Sequence, residues 1–195
     1  MLLTARCFLF SLSGAITGNT GLMDILRRFA FCPVCGSHDF TPHSFKSLLC
    51  ASCGFEYFVN PSTAYVALIF NDRGELLAVR RRREPARGTL DLPGGFADMD
   101  ETVEEGVARE VMEETGLTVI KSEYLFSRPN RYLFSGIDIP TLDIFFHCEV
   151  ADCKSAYADD DAAEIVWLSL DDIDPEQFGL QSIREGIRRI IQQFK

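Results

Sequence analysis

The chain has 195 residues, 47% of them hydrophobic and 25% charged, and a formal net charge of −10 at pH 7. That length suits one ordinary domain with a small appendage, and the composition excludes a disordered or fibrous chain. The acidic balance disfavours sequence-independent binding to nucleic acid, which needs a strong Lys and Arg excess, although carboxylates neutralised by metal ions would still permit work on nucleotides.

Residues 1–22 contain one Arg, no acidic residue and a short apolar stretch broken by Ser and Gly. They read either as a signal or transit peptide or as a non-structural extension ahead of Met23, and the poor apolar run favours the extension. Residues 23–60 are rich in Cys and Phe and are expected to form a small zinc ribbon. Cys32-Pro33-Val34-Cys35-Gly36 and Cys50-Ala51-Ser52-Cys53-Gly54 are two CxxC-Gly turns with fourteen residues between them. Each turn aims two thiolates at one point, and the following Gly supplies the permissive backbone. Four sulfurs make a closed tetrahedral site, so structural Zn²⁺ is expected at Cys32, Cys35, Cys50 and Cys53, holding a unit too small to bury enough surface alone. A single redox CxxC would leave the matched second pair unexplained.

The odd total of seven cysteines argues against a secreted disulfide framework, and a cytoplasmic location is expected. His38, His43 and His147, like Cys7, Cys148 and Cys153, read as ordinary surface or core residues. No run of 18 apolar residues occurs, so no helical membrane span is expected.

Asn60-Pro61 reads as a break that opens a second domain at 61–195. Residues 64–70 and 75–82 read as strands joined at the turn Asn71-Asp72-Arg73-Gly74, a β-hairpin. Its second arm runs into the arginine run Arg80, Arg81, Arg82 and Arg83, which with Arg87 could steer an anionic substrate. Alternate strand residues face opposite sides, so at most half could reach one site, and a solubilising edge is the simpler reading. A helix is expected over 102–115. Thr102 and Glu105 have capping-box spacing, Val103, Val107 and Val111 form a buried stripe, and Gly116 stops it. Glu110, Glu113 and Glu114 fall at i, i+3 and i+4, so like charges crowd one face and repel unless something positive sits among them. Hard oxygen donors there suit Mg²⁺. Residues 124–126, 142–150 and 165–168 read as strands. Ile183, Ile187, Ile190 and Phe194 lie on one stripe of a closing helix over 180–194. Strands interleaved with two helices indicate an α/β or α+β domain behind the ribbon.

Residues 93–117, PGGFADMDETVEEGVAREVMEETGL, resemble the signature of the Nudix hydrolases, G-x5-E-x7-R-E-U-x-E-E-x-G-U with U aliphatic. Gly95, Glu101, Arg109, Glu110, Val111, Glu113, Glu114, Gly116 and Leu117 fill its fixed positions without a gap. Leu92-Pro93-Gly94-Gly95-Phe96 is similar to the usual approach, with Leu90 standing where many members have Trp. The resemblance implies an α/β/α sandwich around a mixed sheet and attack of water on phosphorus in a nucleoside diphosphate linked to another group. It implies that Glu110, Glu113 and Glu114, with the Gly94 carbonyl, bind Mg²⁺ or Mn²⁺, and that Arg109 pairs with Glu101 to hold the loop against the helix. Whether a glutamate or the metal activates the water stays open. Asp159, Asp160, Asp161 and Glu164 are candidates for a later metal ligand, a solvated loop being the alternative for each.

A ribbon ahead of this domain is similar to the architecture of the NADH pyrophosphatases, which carry S-Q-P-W-P-F-P after the signature. Eleven residues past Gly116, only Ser127 and Pro129 match that pattern, Asn130 stands in place of Trp and Tyr132 in place of Phe. Tyr132 could stack on a base and Asn130 could read a polar edge, with loop packing the alternative for both. The expected partner is a nucleotide-type small molecule such as NADH, NAD⁺, ADP-ribose or a related dinucleotide. NAD-capped RNA is the one nucleic acid kept open, and so is a homodimer. A nucleotide-sensing regulator or an interaction module without catalysis is the rival reading, and the intact glutamate set argues against it.

Overall fold

The computed structural model describes residues 25–194. The extension expected at 1–22 lies outside the described residues. The chain divides into two compact units between Glu56 and Tyr57. In the first, β1 (Phe40–Ser44) and β2 (Ser47–Cys50) form an antiparallel hairpin, and β3 (Glu56–Phe58), which starts at the unit's last residue, is the third strand of this small sheet. Phe40, Leu48 and Cys50 are buried there. With Ile25, Leu26 and Cys32 these are the buried hydrophobic residues described in this unit, too few to offset the entropy of ordering it.

The second unit carries two three-stranded sheets. In one, β4 (Ser62–Leu68) runs parallel to β8 (Ile137–Val150), which pairs antiparallel with β7 (Val119–Phe134). In the other, β5 (Leu76–Arg81) lies between β6 (Leu90–Asp91) and β9 (Ala162–Leu168), antiparallel to both. Helices α1 (Val103–Thr115) and α2 (Gln181–Phe194) cover opposite faces. The strands are apolar on both sides, and their alternation sorts the core. Val66, Leu68, Leu76, Ala78 and Phe145 pack towards Ile183, Ile187 and Ile190 of α2. Tyr65, Ala67, Ile69, Leu77, Val79 and Phe146 pack towards Val107 and Val111 of α1. Burying each α2 isoleucine is worth about 1.5–3 kcal/mol. This is the α/β/α sandwich with mixed strand directions that the resemblance implies. Among the described residues, no helix is long and apolar enough to cross a membrane.

Helix α1 starts and stops where its sequence says. The Glu105 amide donates to Thr102 Oγ1 at 3.2 Å and the Thr102 amide to Glu105 Oε2 at 2.9 Å, a reciprocal capping box. Gly116, at φ 67°, donates its amide to Met112 O. Val103 is only half-buried, and Phe194 at the end of α2 is 39% exposed, so both stripes fade at their ends.

Three expectations need correction. Strands 64–70 and 75–82 bridge only beside their turn, through Phe70 with Leu76 and the Leu77 amide to Ile69 O, and then enter different sheets rather than continuing as one hairpin. The short strand expected at 124–126 is the middle of the sixteen-residue β7. Pro129 masks it in the sequence, since proline cannot donate to a ladder. It is tolerated here because β7 is a sheet edge. Asn130 and Tyr132 therefore sit on a strand, not in a loop.

Candidate functional site

The four paired cysteines converge. Cys32 Sγ lies 3.7 Å from Cys53 Sγ and Cys35 Sγ lies 3.6 Å from Cys50 Sγ. All four sulfurs lie within 4.8 Å of one another, and the cysteines are not joined by disulfides. Thiolates bound at about 2.3 Å around a tetrahedral ion sit about 3.8 Å apart, so this donor set fits Zn²⁺. The Gly36 amide donates to Cys32 O and the Gly54 amide to Cys50 O, each at 2.9 Å, closing both turns. His38 packs against Phe31, His43 pairs with Glu56, and His147 lies against Phe70 and Phe194, so none joins the cluster.

In the second unit, a cavity of 320 Å³ takes Gly94, Gly95, Glu110, Glu113 and Glu114 into its lining. Glu114 is buried, and its Oε2 accepts from the Gly94 amide at 3.0 Å. Burial pushes its carboxyl up to about 8, with the charges of Asp91, Glu110 and Asp161 adding to the rise and the Gly94 bond opposing it. Burial also raises Glu110, and Arg109 opposes that shift. A Cβ on Gly95 would come within 2.4 Å of Glu110 Oε2, so a side chain there would displace the carboxylate.

Arg109 is the hub of the helix face. It donates from Nε and Nη2 to Glu101 at 3.0 and 2.9 Å, from Nη1 to Glu110 at 2.8 Å and Glu113 at 3.1 Å, and from Nη2 to Phe96 O at 3.2 Å. The fork–fork geometry holds Glu101 down to about 2, helped by the Asp98 amide. Arg109 and Glu101 thus tie the loop to the helix and do not line the cavity. The three glutamates share the cavity without gathering to a point. Among the described residues only the four cysteines form a group of three or more whose ligand atoms all lie within 4.8 Å of one another. The hard oxygen donors of the three glutamates nonetheless fit a divalent cation of the Mg²⁺ type.

The rest of the lining includes Asn130 and Tyr132, with Tyr132 edge-on to Phe96 at 5.3 Å between ring centroids. Of the acidic run, Asp160 and Asp161 reach the cavity. Glu164 instead accepts from Arg80 at 2.9 Å, and Asp159 spends its amide on Glu114 O at 3.0 Å.

Several lining residues carry no site motif in the sequence. Arg81 donates to Asp91 at 2.5 Å and to Tyr132 Oη at 3.2 Å. Burial raises the Asp91 carboxyl, opposed by Arg81. Thr141 and Asp143 are buried on β8, and Ser182 on α2 donates to Asp143 from behind. Two signals were available. Arg81 and Arg83 are the alternate members of the arginine run, and both reach the cavity. Asp91 and Asp143 are carboxylates flanked on both sides by apolar residues, Leu90 and Leu92 for one and Leu142 and Ile144 for the other, where a charge needs a partner.

The chain matches the NUDIX domain over residues 60–194. It is 31% identical over 121 residues to the NAD-capped RNA hydrolase NudC of Escherichia coli O1:K1, a stretch covering 62% of this chain and 45% of that protein. The chain therefore spans less than half the length of the curated relatives it matches. Among solved structures, a NUDIX hydrolase from Nitrosomonas europaea superposes with a TM-score of 0.65 at 21% identity, covering 84% of this chain and 90% of that one. The MutT protein from Methanosarcina mazei Go1 gives 0.54 at 29% identity, covering 71% and 99%.

Proposed function

The chain belongs to the Nudix family, and from that membership we propose that it hydrolyses the pyrophosphate bond of a nucleoside diphosphate linked to another moiety. The observation that carries this reading is a single cavity lined by Glu110, Glu113, Glu114 and Gly94 and also by Asn130 and Tyr132. Carboxylates to handle charged phosphate and an aromatic, polar wall to hold a base are what such a substrate requires.

In this reading Glu110, Glu113, Glu114 and the Gly94 carbonyl hold Mg²⁺ or Mn²⁺, with Asp160 or Asp161 as a further ligand. The bound cation supplies charge neutralisation of the pyrophosphate and a lowered pKa for the attacking water. The chain's own residues orient the parts. Glu101 fixes Arg109, and Arg109 fixes Glu110 and Glu113 through one shared nitrogen. The buried Glu114 is aimed by the Gly94 amide. Tyr132 and Phe96 offer aromatic surface to the base. The four cysteines hold structural Zn²⁺ in the ribbon, and two CxxC turns with an odd cysteine total suit a reducing compartment such as the cytoplasm.

NADH, NAD⁺, ADP-ribose, FAD, dinucleoside polyphosphates and NAD-capped RNA are the substrates to compare, the last also being the one in the name of the curated relatives. Mg²⁺-dependent release of a nucleoside monophosphate from at least one of them is expected. Binding without release from any would favour the rival reading, a nucleotide sensor that performs no chemistry.

A further inference from the structure

Asp143 on β8 is 4% exposed, and three side chains converge on it. Thr141 Oγ1 donates to Oδ1 at 2.7 Å, while Ser182 Oγ and Asn130 Nδ2 donate to Oδ2 at 2.5 and 3.1 Å. Ser182 and Thr141 are themselves buried, at 1% and 3% exposure. A carboxylate can only accept, so the Asn130 amide must turn its NH₂ towards Asp143. That fixes the other end of the side chain. Asn130 lines the cavity, its Oδ1 makes no hydrogen bond among the described residues, and with Nδ2 engaged Oδ1 is the side-chain polar atom left for a ligand. Two residues further along the same face of β7 stands Tyr132, edge-on to Phe96.

We propose that Asn130, oriented by Asp143, Thr141 and Ser182, is the residue by which this cavity selects a nucleobase carrying an exocyclic amino group. The proposal rests on the nucleotide-hydrolase reading above and adds the base that the site prefers. A bare carbonyl oxygen beside a buried carboxylate repels phosphate, so this stretch of wall suits an uncharged group. The aromatic pair next to it suits a flat ring. An amino group on that ring satisfies Oδ1, whereas a ring without it leaves Oδ1 desolvated and unpaired. Asp143, Thr141 and Ser182 act as positioning residues, because they set which atom of Asn130 faces the ligand, and of the three only Ser182 stays out of the cavity lining. The last helix thus contributes to recognition through Ser182 while closing the core through Ile183.

The test is equilibrium binding by calorimetry with probes that carry no pyrophosphate bond, so that no turnover intervenes. The probes are AMP and purine riboside 5′-monophosphate, which lacks only the amino group. Wild type should bind AMP roughly 3- to 10-fold more tightly, the worth of one neutral hydrogen bond. Asn130→Ala should bring that ratio to about one. Asp143→Asn frees the amide to turn its NH₂ outward, so the ratio should fall to one or below, with Ser182→Ala in between. Circular dichroism and melting identify variants that fail to fold. Asn130→Ala, at a half-buried strand position, keeps the test decisive if Asp143→Asn does not fold. A wild-type ratio of one, no binding of either probe, or a ratio that survives Asn130→Ala would overturn the proposal. Turnover in Mg²⁺ is scored separately. Hydrolysis without discrimination sinks this inference alone, and discrimination without hydrolysis sinks the hydrolase reading alone.

Discussion

The Gly94 amide donates to Glu114 Oε2 at 3.0 Å, joining the loop before α1 to the most buried of the three helix-face glutamates. The bond aims the carboxylate into the cavity but offsets little of its desolvation, and the carboxyl stays protonated up to about 8. Binding of a divalent cation must therefore displace a proton. Mn²⁺ affinity should rise with pH from about 6 to about 8 and then level off, with proton release measurable by calorimetry in buffers of different ionisation enthalpy. Affinity independent of pH across that window would contradict the assignment of Glu114. The sign for the metal-free protein is the reverse. The unfolded carboxyl ionises from about 4.5 while the folded one remains protonated to about 8, so stability falls as pH rises between the two.

Glu101 shows the opposite shift. Arg109 holds it down to about 2, so its contribution to stability is fully present above its unfolded value near 4.5 and lost as pH falls towards 2. Glu101→Gln should melt below wild type at neutral pH, and the two melting curves should converge under acid. A gap that persists at about pH 2 would mean the pair contributes by packing rather than charge.

Gly95 has no room for a side chain, because a Cβ would meet the Glu110 carboxylate at 2.4 Å. The carboxylate is the free end of its side chain, so Gly95→Ala should fold. Turnover of the best substrate should fall on the order of 10²-fold, the usual cost of a misplaced reacting group. Unchanged turnover would remove Glu110 from the site.

The four sulfurs of the first unit make zinc a stoichiometric expectation. Protein purified under reductant should carry about one equivalent, and Cys32→Ser should destabilise the ribbon far more than it slows chemistry in the surviving protein. Less than about half an equivalent would count against the site.

Much of this architecture could be read from residue spacing, because the decisive patterns are local. The capping box at Thr102, the stop at Gly116 and the glutamates on one face all follow from the helical repeat within a single element. The two CxxC turns are equally local. What escaped depends on contacts distant in sequence. Ser182 meets Asp143 across 39 positions, and Arg81 meets Tyr132 across 51. The full length of β7 was hidden by Pro129, which is acceptable only because no strand lies beyond that edge. Asn130 was singled out as a polar residue where an aromatic was expected, but its orientation comes from Asp143, which the sequence shows only as an acid between Leu142 and Ile144.

The central claim is that Glu110, Glu113 and Glu114 carry pyrophosphate hydrolysis, and it is tested by turnover of the best panel substrate at saturating Mg²⁺. Glu→Gln keeps the shape and removes the charge. Each of Glu110→Gln, Glu113→Gln and Glu114→Gln should lose about 10²–10⁴-fold in rate. Glu104→Gln, at an exposed position on the same helix, should stay close to wild type. Three variants indistinguishable from Glu104→Gln would contradict the account.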